Sequence, residues 1–477
     1  MKRILPYICL FLTCFFFVGF FSPSTSPYYG NLYVGDDSAV FKLIGKYWAE
    51  GFIPYVDLWD QKGPLIYAID CIGYLLTGNE TGIFFIQIVF LYFTSIYTYK
   101  SINIVLNNWK SLSITIVIIL SLSINYEGGN LVEEYLLPFL AFSYYYLLKY
   151  VLGGYQDKKA LNIFYFATGL SVSFCLFTRL TNALIICSSA FMVSIYLVID
   201  KKYKLLIKGI FFILLGFLII TIPITAYFYI NNAIEDMWYG TFEYNIEYAL
   251  SNRPLSTSIA HFIGKFLNCF IIFIVSSYLL IYKRWRDASL FFVTALIPLV
   301  WFINSAQYAH YGMITFPLLS TSFVVINGLS KAKYLRVVKL SFNCIIPLYL
   351  LSCVLLRVYQ YKMVIFPTNK KVESPTMLHQ LCEIYNIDKN SLIIYNNSGA
   401  DYLKENVKPG MRFFFLHDFL AEKGPSIEKK MIDSLKRNRV KWLLVPGQIK
   451  NKRIKKTVDD NYRIVAKDKG YTIFKML

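Results

Sequence analysis

Apolar residues fall into long runs separated by short polar stretches along the first 360 residues of the chain. The first run covers 4–21, after Met1-Lys2-Arg3. Others are centred on about 82–104, 111–125, 133–151, 161–178, 181–199, 205–230, 257–282, 288–304, 311–328 and 338–357. Each can cross roughly 30 Å of hydrocarbon as a helix, so the pattern predicts about eleven transmembrane helices. No small-x-small cleavage site follows the first run, which reads as a retained helix and not as a signal peptide. The segment PLIYAIDCIGYLL (64–76) is too short to span and contains Asp70, so it predicts a helix lying on the membrane surface. The run at 39–50 has helical periodicity, with Val40, Phe41, Leu43, Ile44, Tyr47 and Trp48 on one face.

From about residue 361 the pattern becomes that of a soluble domain. SLIIYNN (391–397), MRFFFL (411–416), VKWLLVPG (440–447) and YRIVAK–YTIFKML (462–477) read as strands, and IEKKMIDSLKRN (427–438) as an amphipathic helix. That alternation predicts a small α/β domain.

Composition agrees: 56% of the 477 residues are hydrophobic and only 16% charged, with a mean hydropathy of +0.48. Soluble domains average about a quarter charged residues. The net charge of +19 would suggest nucleic acid in a soluble chain, but its distribution points elsewhere. With the N-terminus cytoplasmic, the inner connections carry 18 Lys or Arg against three acids, while the outer loops and spans carry seven Lys or Arg. This is the positive-inside pattern, and it sets an N-in, C-out orientation. Fourteen acids then lie outside, in loops that include one of about 60 residues after the first span and one of about 26 near 231–256, well above ordinary connection lengths. The C-terminal segment has 23 basic and 12 acidic residues, without an aromatic-interleaved basic motif, so no nucleic-acid partner is expected; anionic lipid or an acidic glycan suits it better. The nine cysteines lie mostly inside apolar runs and form no disulfide or zinc pattern.

The chemistry concentrates in GDDSAVFKLIGKYWAEGFIPYVDLWDQKGP (35–64), which gathers Asp36, Asp37, Glu50, Asp57 and Asp60 beside Lys62. Asp36-Asp37-Ser38 suits a helix cap, but capping needs only one of the acids. Glu133-Glu134 opens the span at 133–151, where such acids are either interfacial or face a site. Arg179, between two apolar runs, needs an acid or a phosphate as partner. Arg253 and the pair His310-Tyr311 stand at outer ends of spans, where phosphate contacts would be placed and where interfacial residues also collect.

The stretch at about 30–80 resembles the GT-C glycosyltransferases, among them the protein O-mannosyltransferases and the lipid A aminoarabinose transferases. In those families an Asp-Glu or Asp-Ser pair in the first outer loop is followed some way on by a His-Pro-Pro or Lys-Pro-Pro element. Asp37-Ser38 matches the first, and Lys62-Gly63-Pro64 stands where the second would be, with Gly for the first Pro. The resemblance implies a GT-C-like catalytic membrane domain at 1–360, with its first outer loop at about 22–81, and an extracytoplasmic α/β domain at 361–477. It implies an inverting transferase of the cytoplasmic membrane that takes a sugar from a polyprenyl-phosphate donor to a glycan, lipid or protein acceptor. Phosphate departs without protonation, so such a reaction needs one general base and cations for the leaving group. Asp37 is the expected base and Asp36 the alternative. Lys62, Asp60, Asp57, Glu134, Glu133, Arg179, Arg253, His310 and Tyr311 are the expected substrate contacts. No cofactor is required, and there is room for a divalent cation. A lipid-linked sugar flippase and a polysaccharide polymerase are the competing classes. A transporter would place charges at mid-span and show paired halves, and neither is visible here.

Overall fold

The apolar runs fold as helices, the only open structure that satisfies every backbone amide where water is absent. In the computed structural model, residues 4–29, 36–251, 259–303, 308–328, 336–365, 377–397, 399–423, 425–437 and 440–477 are described. Among them eight helices are long and apolar enough to cross a membrane: Thr81–Asn103, Val132–Leu152, Lys158–Leu176, Leu180–Ile199, Tyr203–Ile230, Trp285–Ile303, Ala309–Gly328 and Val338–Gln360. The other expected runs form shorter apolar helices, Leu5–Phe21, Asn108–Ile124 and Leu267–Ile281. The run at 257–282 is broken at Phe266, which separates Ile259–Lys265 from Leu267–Ile281.

The chain forms two compact units. The first comprises Met1–Tyr28, Phe84–Pro223 and Pro254–Thr368, and the second Tyr29–Ile83, Ile224–Arg253 and Asn369–Leu477. The segments 29–83 and 224–253 thus cluster with the C-terminal segment, so the compact boundary does not run at 360/361. Hydropathy marks where the chain leaves the apolar bundle, but not which of the polar excursions pack together.

Within the first unit, Ala309–Gly328 is 94% buried over its apolar window, whereas Tyr203–Ile230 and Val338–Gln360 are 11% buried. These two helices turn Ile207, Phe211, Leu214, Leu348 and Leu355 outward, an apolar surface suited to hydrocarbon and not to water. Tyr203–Ile230 meets Lys158–Leu176 through small residues. A Cβ on Gly169 would stand 2.0 Å from Ile213 O, and one on Gly216 would stand 2.1 Å from Phe166 O. One turn beyond, the hydroxyls of Ser173 and Thr221 are 2.8 Å apart. Between apolar helices in lipid this close approach is a main source of association, because the hydrophobic effect no longer drives it.

The second unit contains a four-stranded sheet of order β1-β2-β4-β3, with β1 Leu392–Ile394, β2 Trp442–Pro446, β3 Tyr462–Asp468 and β4 Tyr471–Met476. β1 and β2 are parallel, and β2–β4 and β4–β3 antiparallel. The amphipathic helix Pro425–Arg437 buries Ile427, Met431 and Leu435 at four-residue intervals. The expected strand at 411–416 does not form. Met411, Phe413, Phe414, Phe415 and Leu416 are buried, yet their backbone goes elsewhere: Arg412 O accepts from Trp59 N, and Phe414 O from the Tyr402 hydroxyl. An unbroken apolar run signals burial without specifying a ladder. In the same unit, helix Asp36–Ala49 buries Ala39, Phe41, Leu43, Ile44 and Tyr47. Helix Pro64–Thr77 buries Ile66, Tyr67 and Ile69 while exposing Ile72, Leu75 and Leu76.

Gly169→Val and Gly216→Val each force two helix backbones apart, at about 1–3 kcal/mol for overpacking. Both variants should lower the thermal midpoint of the detergent-solubilised protein, and an unchanged midpoint in both would mean that the helices do not meet at these glycines.

Candidate functional site

The acids of 35–64 separate by what each one touches. Asp60 is 8% exposed and accepts a hydrogen bond from the Tyr67 hydroxyl at 2.6 Å. Burial first, and the Asp60 charge after it, hold the Tyr67 phenol well above its usual range, so it stays a donor. The Tyr55 phenol, pushed up mainly by burial, donates to Lys62 O at 2.5 Å and receives the Thr241 hydroxyl at 3.3 Å. Lys62 is half-buried, and its backbone is fixed by this contact. Asp57 is exposed and accepts from Ile53 N at 2.7 Å, closing its own turn. Between them, Trp59 donates its amide to Arg412 O and packs its ring against Tyr239, Tyr244 and Phe413. Asn245 Nδ2 donates to Gln61 O at 2.6 Å from beside a π-helical turn at Tyr239–Glu243, an irregularity frequent near functional sites.

Asp37 stands apart from these. It lies in the first turn of helix Asp36–Ala49, is exposed, and has no hydrogen-bond or ion-pair partner among the described residues. The side chain of Asp36 and the whole of Arg253 lie outside the described residues.

The first unit holds the other expected residues, and it splits the acidic pair. Glu134 is buried and accepts from Gln87 Nε2 at 3.0 and 3.1 Å, Asn130 N at 3.1 Å and Leu131 N at 3.4 Å. It serves as the N-terminal cap of Val132–Leu152, half of a capping box. Its carboxyl oxygens are thus engaged by the protein itself. Glu133, also buried, takes Arg179 Nη1 at 3.3 Å and Asn182 Nδ2 at 3.0 Å. The Arg179 guanidinium lies 3.3 Å from the centre of the Tyr311 ring, a cation–π contact, and His310 meets the same ring edge-on at 4.6 Å. His310 Nδ1 lies 2.5 Å from Glu127 Oε2, and Ala309 N donates to Glu127 Oε1 at 3.3 Å. Glu133, Arg179, Tyr311, His310 and Glu127 therefore form one polar cluster at the helix ends. Sequence reasoning missed the Glu127 partnership, since 183 residues separate it from His310. It also missed the pair that buried Lys42 makes with half-buried Glu80 at 2.6 Å in the second unit. Among the described residues no three His, Cys, Asp or Glu side chains come together as a cation site.

No protein-family model matches the sequence, and no curated protein matches it. Solved structures do match it in fold. The aminoarabinose transferase ArnT from Cupriavidus metallidurans, bound to undecaprenyl phosphate, has a TM-score of 0.53 and 13% identity, over 99% of this chain and 98% of that one. Its apo form has a TM-score of 0.54 and 12% identity, over 99% and 97%. The archaeal oligosaccharyltransferase AglB from Archaeoglobus fulgidus, in complex with an inhibitory peptide and a dolichol-phosphate, has a TM-score of 0.47 and 10% identity, over 100% and 74%. The chain has the fold of the GT-C membrane glycosyltransferases, the class that residues 30–80 resemble.

Burial alone would raise the Glu127 carboxyl, but the hydrogen bond and charge of His310, with the amides of Ala309 and His310, hold it below its ordinary 4.5. A depressed folded value stabilises the protein fully above the unfolded value and loses that contribution as the pH falls through the folded one. The thermal midpoint of Glu127→Gln should therefore lie below that of the parent at neutral pH, and the gap should close on acidification below about 4.5. A gap that widened in acid would reverse the assigned sign.

Proposed function

We propose that the protein is an inverting glycosyltransferase that transfers a sugar from a polyprenyl-phosphate donor to a glycan, lipid or protein acceptor on the extracytoplasmic face of the cytoplasmic membrane. The observation that carries this reading is Asp37. Asp57 and Asp60 are engaged in holding the local fold, whereas Asp37 is open to a substrate at the start of a well-packed helix. The GT-C fold supports it, and so does the undecaprenyl phosphate held by ArnT, a lipid phosphate of the proposed donor type. In the proposed reaction, Asp37 takes the proton of the acceptor hydroxyl as its oxygen attacks the anomeric carbon from the face opposite the phosphate. The glycosidic bond forms, the sugar–phosphate bond breaks, and its electron pair leaves on the lipid phosphate. Lys62 meets the developing charge on that phosphate. Asp36 is the alternative base. The reaction consumes no cofactor.

The proposed arrangement counts Leu5–Phe21, Asn108–Ile124 and Leu267–Ile281 as spans beside the eight long ones. It places the N-terminus in the cytoplasm and the C-terminal segment outside, in line with the positive-inside distribution. Helix Pro64–Thr77 then lies on the outer membrane surface, its exposed Ile72, Leu75 and Leu76 entering the lipid boundary.

Initial rates with purified protein and a panel of polyprenyl-phosphate sugars test the chemistry. Asp37→Asn should abolish transfer and Asp36→Asn should be milder; Lys62→Ala should lower turnover by about one to three orders of magnitude, as loss of one electrostatic donor does. Lys62→Arg should keep part of the activity because the charge survives. Near-normal turnover of Asp37→Asn would remove it as the base.

Sidedness is tested separately with reporters fused after Leu477. Alkaline phosphatase should be active there, and a fluorescent protein that matures only in the cytoplasm should stay dark. The opposite pattern would change the parity of the span count.

A further inference from the structure

A groove of about 580 Å³ opens in the second unit, lined among others by Phe52, Asp57, Lys408, Arg412, Lys430 and Asp433. Its three cations are held by weak or partial partners. Lys430 Nζ lies 3.0 Å from the centre of the Tyr239 ring, and Lys408 Nζ lies 4.2 Å from that of Phe52. Among the described residues neither lysine forms an ion pair, and the pair that Arg412 makes with Asp236 at 2.7 Å leaves its buried Nε without an acceptor. Burial and then the neighbouring Arg412 charge lower the Lys430 ammonium, against the opposing pull of Asp236, Glu243 and Glu247. The carboxylates have a different use. Asp433 has no partner among the described residues, and Asp57 is engaged only with a backbone amide of its own turn.

We infer that this groove binds a saccharide bearing an anionic group, as a subsite for the acceptor of the proposed transfer. Lys408, Lys430 and Arg412 take the anionic substituent by charge-assisted hydrogen bonds. Asp57 and Asp433 accept hydrogen bonds from sugar hydroxyls, and Phe52 supplies apolar surface to ring C–H groups. A bare polyanion fits poorly, because Asp57, Asp433 and Asp236, which also lines the groove, would repel it. A neutral sugar fits poorly too, because among the described residues it would leave Lys408 and Lys430 without an ion-pair partner and the Arg412 Nε without an acceptor. The acceptor role rests on the transferase reading; the binding does not.

The test is calorimetric titration of the purified full-length protein with digalacturonate, its neutral counterpart digalactose, and inorganic phosphate. Digalacturonate should bind at least about tenfold tighter than either of the others, the worth of one hydrogen bond to a charged group. Lys408→Gln and Lys430→Gln should each lose about tenfold of that affinity. Equal affinity for digalactose, equal affinity for phosphate alone, or lysine variants that bind like the parent would overturn the inference. Asp37→Asn should bind digalacturonate like the parent. Failure of the parent protein to transfer, with binding intact, would count against the transferase reading only, and transfer by the parent without digalacturonate binding against the groove only.

Discussion

Glu134 is the carboxylate on which one end of the helical bundle depends. A carboxyl group enclosed among apolar helices is tolerated only when hydrogen-bond partners surround it, and here Gln87 and the amides of Asn130 and Leu131 do so. Gln87 also binds Ser22 and Tyr126, so the end of the first helix, the span Thr81–Asn103 and the turn 125–131 are tied to one group. The same turn extends the connection outward: Asn125 donates to Lys265 O and Ala309 O, and Arg357 Nη2 donates to Tyr126 O. Because this turn is fixed, Glu127 is presented to His310 and Glu133 to Arg179. The Glu127–His310 and Glu133–Arg179 pairs are thus a consequence of how one buried acid is satisfied.

The second unit applies the same rule to a polar loop. Asp60 and the Lys62 carbonyl are held by Tyr67 and Tyr55, and Trp59 is seated in a cage of aromatic rings. A loop with so many carboxylates would otherwise be kept open by solvation and mutual repulsion. Engaging Asp57 and Asp60 locally removes that tendency and leaves Lys62 on a defined backbone. In the Lys42–Glu80 pair the lysine is buried and the glutamate only partly so, and removing the acid would strand a buried ammonium; the pair specifies arrangement more than it adds stability.

Much of this was legible in the sequence. The spans follow from apolar length, and the polar stretch 35–64 follows from the contrast of its eight charged residues with the runs around it. The α/β character of the C-terminal segment was equally plain from its strand–helix alternation. What was not legible was long-range partnership. Neighbouring residues on a helix point about 100° apart, so Glu133 and Glu134 had to face different surroundings, but sequence does not say which one meets Arg179. The buried run 411–416 shows the other limit. Its side chains announced burial correctly, but its backbone partners, Trp59 and Tyr402, come from distant segments that no local pattern identifies.

The C-terminal segment bears on the chemistry through the helix that carries Asp37. Gly399 has φ +92°, and a Cβ there would stand 3.4 Å from Ala39 O, within the first turn of Asp36–Ala49. Few residues adopt that backbone conformation without strain, so the sequence keeps the smallest one where the loop after β1 meets the helix. At the far end of the same helix Lys46 hydrogen-bonds the Asn406 side chain. A helix anchored at both ends by one domain cannot rotate freely about its own axis. Since general-base catalysis falls steeply with misplacement of the accepting oxygen, such anchoring is what an exposed aspartate requires if it has no partner of its own to hold it. The basic α/β segment therefore belongs to the proposed active site by mechanics, without supplying a reacting group.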